Sequence, residues 1–190
     1  MLTLKKSHQL LIGVILAALL IVTRGHHFAS ISHLPSASWA VFFLAGVYLR
    51  PAWVFAGLLA LAAGLDIAAV TWGGVSNFCV SPAYPFLLPA YGALWLAGRW
   101  LAAHYRFAWS TLATAVGSLF VSTVAAELFS SGGFYFFSGR YADPTLVEFG
   151  HRFAKYYPSA VSNILLYVGI AAIIHILVKA VRANGKLTSA

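Results

Sequence analysis

The residues of this chain that could carry chemistry concentrate in one irregular segment, residues 73–85. It holds the single cysteine, Cys79, among glycine, serine, proline and aromatic residues. A thiolate can act as a redox group or bind a soft or borderline metal, whereas a free cysteine often packs as a small hydrophobe. A loop position makes packing less typical than it is for a cysteine within a helix, and both interpretations stay open. One cysteine cannot form an intramolecular disulfide. It also cannot supply the cysteine pairs that are typical of zinc or iron–sulfur sites.

Two carboxylates lie in apolar stretches of the sequence, where an unpaired charge is costly. Asp66 is the deeper of the two, so we expect it to belong to a binding site, and Arg152 is the candidate to neutralise it. Glu127 lies near the end of its stretch, and we expect its carboxylate to reach the level of the lipid headgroups. Asp66 and Arg152 are therefore candidate pocket residues.

Histidines offer a second kind of ligand. His26 and His27 are adjacent, and His33 follows closely. They could ligate a metal, hydrogen-bond a bound molecule or lie at the headgroup level as polar interface residues, and these alternatives stay open. We include His27 among the candidate pocket groups. His175, near the end of the last apolar stretch, is expected to be interfacial.

Aromatic side chains are concentrated around the cysteine segment and in the chain from residue 134 to 157. A broad, largely apolar ligand with polar edges suits a pocket lined in this way. The aromatic residues in question are Phe78, Tyr84, Phe86, Tyr91, Phe134, Tyr135, Phe136, Phe137, Tyr141, Tyr156 and Tyr157.

The elements that must position these residues are long and apolar. Hydrophobic residues make up 61% of the 190-residue chain and charged residues only 8%, about a third of the share in a soluble domain. The sequence therefore predicts an all-α integral membrane protein, folded as one domain over residues 1–190. A helix needs roughly 20 residues to cross a bilayer. Six segments qualify, the second being the shortest: 7–23, 36–49, 52–72, 84–101, 108–129 and 157–181.

The connections between these segments differ in length. Arg50 and Pro51 alone separate the second and third, which predicts a tight turn and a helical hairpin. Pro85 and Pro89 lie in the first turns of the fourth helix, and Pro89 is expected to bend it. The last connection, residues 130–156, is far longer than a helix connection needs. We expect a long aromatic loop there.

Basic residues indicate how the helices cross the membrane. With both termini on the cytoplasmic side, eight of the twelve Lys and Arg residues lie on that side and four on the other, as the positive-inside rule requires. The net charge of +8 is too thinly spread for a nucleic-acid surface. Lys5 and Lys6 precede an apolar run as in a signal peptide, but Thr23 and Arg24 follow where small residues would be needed. A retained first helix is therefore expected.

Two further motifs bear on partners. The chain has no G-x-x-x-x-G-K-[ST] sequence, so it cannot hydrolyse ATP by the P-loop route. Gly13 and Ala17 form a small-x-x-x-small pair on the first helix, which is a candidate docking surface for a partner helix.

The stretch Asn77-Phe78-Cys79-Val80-Ser81-Pro82-Ala83-Tyr84-Pro85 resembles the loop of the BtuM family of bacterial cobalamin transporters, in which a cysteine occupies this position. The size, the six predicted helices, the inside termini and the missing ATPase motif resemble the S-components of energy-coupling-factor (ECF) vitamin transporters. That broader likeness covers nearly the whole chain. It implies a compact, S-component-like bundle of six helices.

The resemblance implies cobalamin, or a related corrinoid, as the bound substrate, with the Cys79 thiolate as axial ligand of its cobalt. By position, His27, Asp66, Tyr84 and Arg152 are added as pocket groups, Asp66 and Arg152 contacting the corrin's amide edges or each other. Uptake across the bacterial cytoplasmic membrane is the implied function, either alone or docked through the first helix on an ECF-type ATP-driven module. No other cofactor is expected.

Electron donation by a cobalt-bound thiolate should weaken the bond to the ligand on the opposite face. Cys79 could therefore assist removal of an upper ligand such as cyanide. The alternative, from a different class, is a membrane enzyme in which Cys79 is a redox thiol or the three early histidines hold haem or a metal. Haem enzymes that span a bundle normally place histidines within helices, which favours the carrier.

Overall fold

The computed structural model describes residues 4–24, 34–74, 76, 81–106 and 108–187, the last six of these as backbone only. Every regular element in these ranges is helical, and no strand occurs among them. The all-α prediction is therefore confirmed. The helices are α1 (Lys6–Arg24), α2 (Ser38–Tyr48), α3 (Trp53–Thr71), α4 (Leu87–His104), α5 (Trp109–Glu127), α6 (Gly133–Phe137) and α7 (Leu146–Leu187).

Four helical stretches in the described part of the chain are long and apolar enough to cross a membrane. They are Lys6–Arg24, Trp53–Thr71, Trp109–Phe137 and Leu146–Val181. Four spans of this kind point to a membrane protein. The predicted segments 7–23, 36–49, 52–72 and 84–101 agree with the first four helices to within a few residues, since apolar length is a strong signal.

The shortest of the first four helices, α2, lies at the centre of the core. Eight of its eleven residues are buried, and the other helices pack around Phe42 and Phe43, which are almost fully inaccessible. A Cβ atom built on Gly46 would meet the carbonyl oxygen of Trp95, and one on Gly98 would meet that of Phe43. The backbones of α2 and α4 therefore touch, because each helix has a glycine at the crossing.

The two prolines lie at the start of the fourth helix. Tyr84–Phe86 forms a short 3-10 turn, and the α-helix begins only at Leu87. Pro89 thus falls in the first turn of α4, where a residue needs no amide donor for an intrahelical bond. The chain therefore changes helix type, from 3-10 to α, between the two prolines.

The predicted long loop at 130–156 is wrong. Helix α5 continues through a π-helical turn (Leu128–Gly132) into α6, and α7 begins at Leu146, so only residues 138–145 are non-helical. Thr145 caps α7 by accepting a hydrogen bond from the Glu148 amide over 3.2 Å. Thr145-Leu146-Val147-Glu148 matches the capping-box pattern, and this signal moves the helix start eleven residues ahead of the predicted one.

The helix ends gather at two ends of the bundle, which we name after one residue each. At the Asp66 end, Arg24 of α1 meets α2 and α3. At the Arg106 end, the backbone amide of Arg50 donates to Gln9, and Arg99 donates to the carbonyl of Arg50 over 2.8 Å. All four acidic residues of the chain (Asp66, Glu127, Asp143 and Glu148) belong to the Asp66 end.

Candidate functional site

A bidentate ion pair lies at the Asp66 end. The Nε and Nη2 atoms of Arg24 donate to the two carboxylate oxygens of Asp66 over 2.7 and 2.6 Å. The side chains are 12% and 26% exposed, so the pair is largely withdrawn from water. Parallel donation of this kind fixes the carboxylate geometry and is among the stronger ionic contacts in proteins.

Three hydroxyl groups complete the surroundings of the ion pair. Tyr84 donates to Asp66 over 2.8 Å. The Nη1 atom of Arg24 donates to Tyr91 over 2.6 Å and to Ser38 over 3.0 Å. The ring of Tyr91 in turn stacks on Phe42 of the core, with centroids 4.2 Å apart. The polar cluster is thus anchored to the most buried part of the bundle.

Arg24, Asp66 and Tyr84 of this cluster form the floor of a cavity of about 500 Å³, which we call the Asp66 cavity. That volume lies within the range of small-molecule sites. The walls come from the α3 end, the α4 start, the α5–α6 junction and α7. The lining residues are Arg24, Asp66, Ala69, Val70, Ser76, Ala83, Tyr84, Leu87, Ser130, Ser131, Phe134, Tyr135, Tyr141, Phe149, Arg152 and Tyr156.

Aromatic rings hold Arg152 at the opposite wall. Its guanidinium lies 4.6 Å from the ring centroid of Tyr141 and 5.3 Å from that of Tyr135, donates to the Tyr141 hydroxyl over 3.2 Å and lies 3.4 Å from Glu148. The structure thus brings Arg152, Asp66 and Tyr84, three of the predicted pocket residues, to one cavity. The proposed neutralisation of Asp66 by Arg152 is wrong, because Arg24 is the pairing cation.

The position of Glu127 also differs from the prediction. Its side chain is buried at the end of α5, with 3% exposure, instead of reaching the headgroups. One carboxyl oxygen has no hydrogen-bond partner in the described structure, and the Ser131 hydroxyl interacts with the group. Ser131 lines the Asp66 cavity, so Glu127 lies directly behind the cavity wall.

Two of the predicted site residues, Cys79 and His27, lie outside the described residues, as do His26 and His33. Among the residues that are described, no group of three or more His, Cys, Asp and Glu side chains could hold a metal ion. What the structure does describe is the chain on either side of Cys79. Ser76 and Ala83, on its two flanks, both line the Asp66 cavity.

Sequence reasoning missed Arg24 and Ser38 as members of the site, whereas Tyr91 was among the aromatic residues expected around the pocket. Arginine commonly ends a span at the interface, which is why the sequence predicts Arg24 in a loop. The signal that could have found it was the cost of an unpaired carboxylate at Asp66, since Arg24 is the basic residue at the end of α1. Covalent order alone does not reveal that α1 and α3 are neighbours.

Removing the Tyr84 hydroxyl is expected to loosen the floor of the cavity. Tyr84→Phe deletes one donor to the Asp66 carboxylate and should lower the free energy of unfolding by about 1–2 kcal/mol. Thermal unfolding of the purified protein in detergent measures this change. Tyr156→Phe is the matched control, since that half-exposed hydroxyl in the same cavity makes no contact with Asp66. Equal losses of unfolding free energy in the two variants would contradict a stabilising hydrogen bond from Tyr84 to Asp66.

Comparison with protein-family models and with curated proteins gives no match for this chain. The functional assignment therefore depends on the residues of the Asp66 cavity and on the sequence that adjoins it.

Proposed function

We propose that this protein binds a corrinoid at the Asp66 cavity and carries it across the bacterial cytoplasmic membrane, with the Cys79 thiolate as axial ligand of the cobalt. One observation supports the proposal above the others: the chain leaves the cavity lining at Ser76 and returns to it at Ala83. The only cysteine therefore belongs to a short segment that is tethered at both ends to the cavity.

Covalent geometry limits how far Cys79 can lie from the cavity. Three residues of extended chain span about 11 Å at most, which is the upper bound on the distance between the Cα atoms of Ser76 and Cys79. A thiolate within this reach suits the proposed role, because an axial cobalt site needs one soft ligand whereas a zinc site needs several.

The chemistry of the cavity fits one edge of a corrin ring. Corrinoids combine a broad, largely apolar macrocycle with amide groups around its rim. The aromatic wall at Phe134 and Phe149 offers apolar contact, and Arg152 and the ion-paired Asp66 offer a donor and an acceptor for amides. A corrinoid is larger than this cavity, so we infer that one edge enters while the cobalt stays near the mouth.

We further propose a six-span topology with both termini in the cytoplasm. In this arrangement α2 and α4 also span the membrane, in addition to the four long helical stretches. Helix α2 can be short because the other helices surround it and bury most of its residues. The basic residues support the direction: Arg50, Arg99 and Arg106 lie together at the end where α1 begins. The Asp66 cavity would then face the outside, as an uptake protein requires.

We further propose that α1 docks on an ATP-driven module, but through a different face from the Gly13 and Ala17 pair that the sequence suggests. Gly13 is adjacent to Leu49 of the same chain, because a Cβ atom built on this glycine would lie 3.8 Å from the Leu49 side chain. The small-residue face of α1 thus packs inside the bundle. A partner helix would meet the opposite face, formed by the exposed side chains of Leu10, Leu11, Val14 and Ile15.

Upper-ligand removal would follow from the same coordination. A thiolate on cobalt(III) donates electron density through the metal, and cyanide on the opposite face would leave with its bonding electron pair as the free anion. Cobalt keeps its oxidation state in this step, so no reductant is required. Decyanation is thus a consequence of binding and needs no further catalytic group.

Visible absorption of the purified protein with and without added cobalamin tests the proposed function. We expect a corrinoid spectrum altered by thiolate coordination and slow loss of cyanide, and both should vanish in Cys79→Ser while apolar contacts retain some binding. A haem Soret band in the purified protein would instead support the membrane redox enzyme. Corrinoid spectra and cyanide loss identical in the two proteins would contradict thiolate ligation.

A further inference from the structure

A second cavity lies at the Arg106 end, on the opposite side of the bundle core from the Asp66 cavity. It has a volume of about 510 Å³ and lies between α2, α4, α5 and α7. Most of its lining is apolar, including Leu44, Leu112 and Val168. An amphiphile whose tail enters the bundle from the lipid would find apolar contact here on four sides.

One edge of this cavity, which we call the Arg106 cavity, is polar. His175 of α7 lies between two tyrosines: its Nε2 atom is 2.8 Å from the Tyr105 hydroxyl, and its Nδ1 atom is 3.4 Å from the Tyr48 hydroxyl. All three side chains line the cavity. His175, which the sequence predicts at the interface, thus has a tyrosine hydroxyl beside each ring nitrogen.

In the triad formed by Tyr48, His175 and Tyr105, at least one hydroxyl donor has no acceptor within the triad. A neutral imidazole has one N–H donor and one acceptor, so one tyrosine accepts from His175 and keeps its own O–H for another acceptor. If the imidazole is protonated, both tyrosines accept from it and both keep their own O–H for another acceptor. Burial raises the pKa of Tyr105, so its phenol retains the proton. Neither hydroxyl has another hydrogen-bond partner among the described residues, and the cavity is where an acceptor would lie.

The charge around this cavity has one sign. Arg106 lines it, and Lys179 lies one helical turn beyond His175. All four acidic side chains of the chain lie at the Asp66 end, so none of them neutralises these cations. Basic pockets between spans at one membrane face are typical sites for anionic lipid headgroups.

We propose that the Arg106 cavity binds one anionic membrane phospholipid. An acyl chain fills the apolar part, the phosphate lies beside Arg106, and a phosphate or ester oxygen accepts a hydrogen bond from the unused hydroxyl of the Tyr48–His175–Tyr105 triad. The inference is independent of the corrinoid proposal, since the two cavities share no lining residue.

The test uses the full-length protein in detergent, with native mass spectrometry for stoichiometry and thermal unfolding for affinity. Phosphatidylglycerol and phosphatidylcholine with identical acyl chains distinguish headgroup charge from chain burial, and glycerol phosphate supplies the headgroup alone. We expect one phosphatidylglycerol per protein, no comparable retention of phosphatidylcholine and no stabilisation by glycerol phosphate. Arg106→Gln should weaken phosphatidylglycerol binding by about fivefold.

Two further variants separate the cavity from general surface charge. Arg50→Gln removes an equal charge from an exposed position at the same end, outside the cavity lining, and should leave binding unchanged. Ala115→Leu adds volume to the cavity wall without changing charge and should also reduce retention. Equal binding of the two phospholipids, equal loss in Arg106→Gln and Arg50→Gln, or stabilisation by glycerol phosphate alone would overturn the proposal.

Discussion

Asp66→Ala is expected to destabilise the protein strongly and to abolish ligand binding at the cavity. The substitution leaves the Arg24 guanidinium largely buried, and among the described residues its remaining partners are the Tyr91 and Ser38 oxygens. Removing one member of a buried ion pair costs about 3–5 kcal/mol. Thermal unfolding in detergent and binding of cobalamin measure the two effects.

A double variant distinguishes the unpaired charge from the loss of a binding group. Arg24→Met combined with Asp66→Leu replaces the pair by apolar side chains of similar size and should recover most of the stability. Ligand binding should not recover, because the acceptor at the cavity floor is gone. Asp143→Ala, at an exposed carboxylate of the same end, is the control. If Asp66→Ala lost no more stability than this control, the stabilising role of the Arg24–Asp66 ion pair would be contradicted.

Gly98→Leu is expected to prevent assembly of the bundle. A Cβ atom at this position would meet the Phe43 carbonyl and come within about 3.0 Å of the Val47 amide nitrogen, and backbone atoms cannot move aside as a flexible side chain can. The helices α2 and α4 would have to separate, exposing the central helix. Even Gly98→Ala should lower the free energy of unfolding by about 3 kcal/mol, which is at the upper end of the penalties for overpacking.

Size-exclusion chromatography and thermal unfolding in detergent measure this effect. Gly117→Ala is the matched control, because a Cβ atom there meets nothing within 4 Å. The control should elute and unfold like the unmodified protein, whereas Gly98→Leu should aggregate or fail to accumulate in the membrane. Normal elution and unfolding of Gly98→Leu would show that α2 and α4 do not pack by backbone contact.

Apolar length was sufficient to predict most of the helices. Burial in lipid and burial in a protein core both select apolar residues, so the segments at 7–23 and 52–72 were found from composition alone. The same ambiguity explains the second segment. An apolar run of 36–49 does not reveal whether a helix faces lipid or neighbours, and α2 proved to be the buried centre of the bundle.

The aromatic stretch at 130–156 was misassigned for an identifiable reason. Residues 130–156 fall between the fifth and sixth apolar segments and were assigned to a loop for that reason, but the π-helical turn carries the chain past Ser130 and Gly132 without ending the helix. Rings at Phe149, Phe153 and Tyr157 follow one another at four-residue spacing along α7, with adjacent centroids 6.3 and 4.7 Å apart. That spacing and the Thr145 capping box were readable as helix signals.

The site was predicted in part. Asp66, Tyr84 and Arg152 line one cavity. They could be selected from the sequence because the cost of a carboxylate in an apolar stretch and the grouping of polar and aromatic residues in the connections are local properties. The pairing of Asp66 with Arg24 depends on which helices are neighbours, a property of the tertiary packing. Residues separated by 42 positions can be matched only when α1 and α3 are known to be adjacent.

Cobalt K-edge X-ray absorption of the protein–cobalamin complex tests the central proposal most directly, because the scattering identifies the atoms bound to the metal. We predict one sulfur in the cobalt coordination shell of the unmodified protein, and only nitrogen, oxygen or carbon ligands when cobalamin is added to Cys79→Ala. A shell without sulfur in the unmodified complex, or the same shell in both proteins, would contradict axial ligation by Cys79.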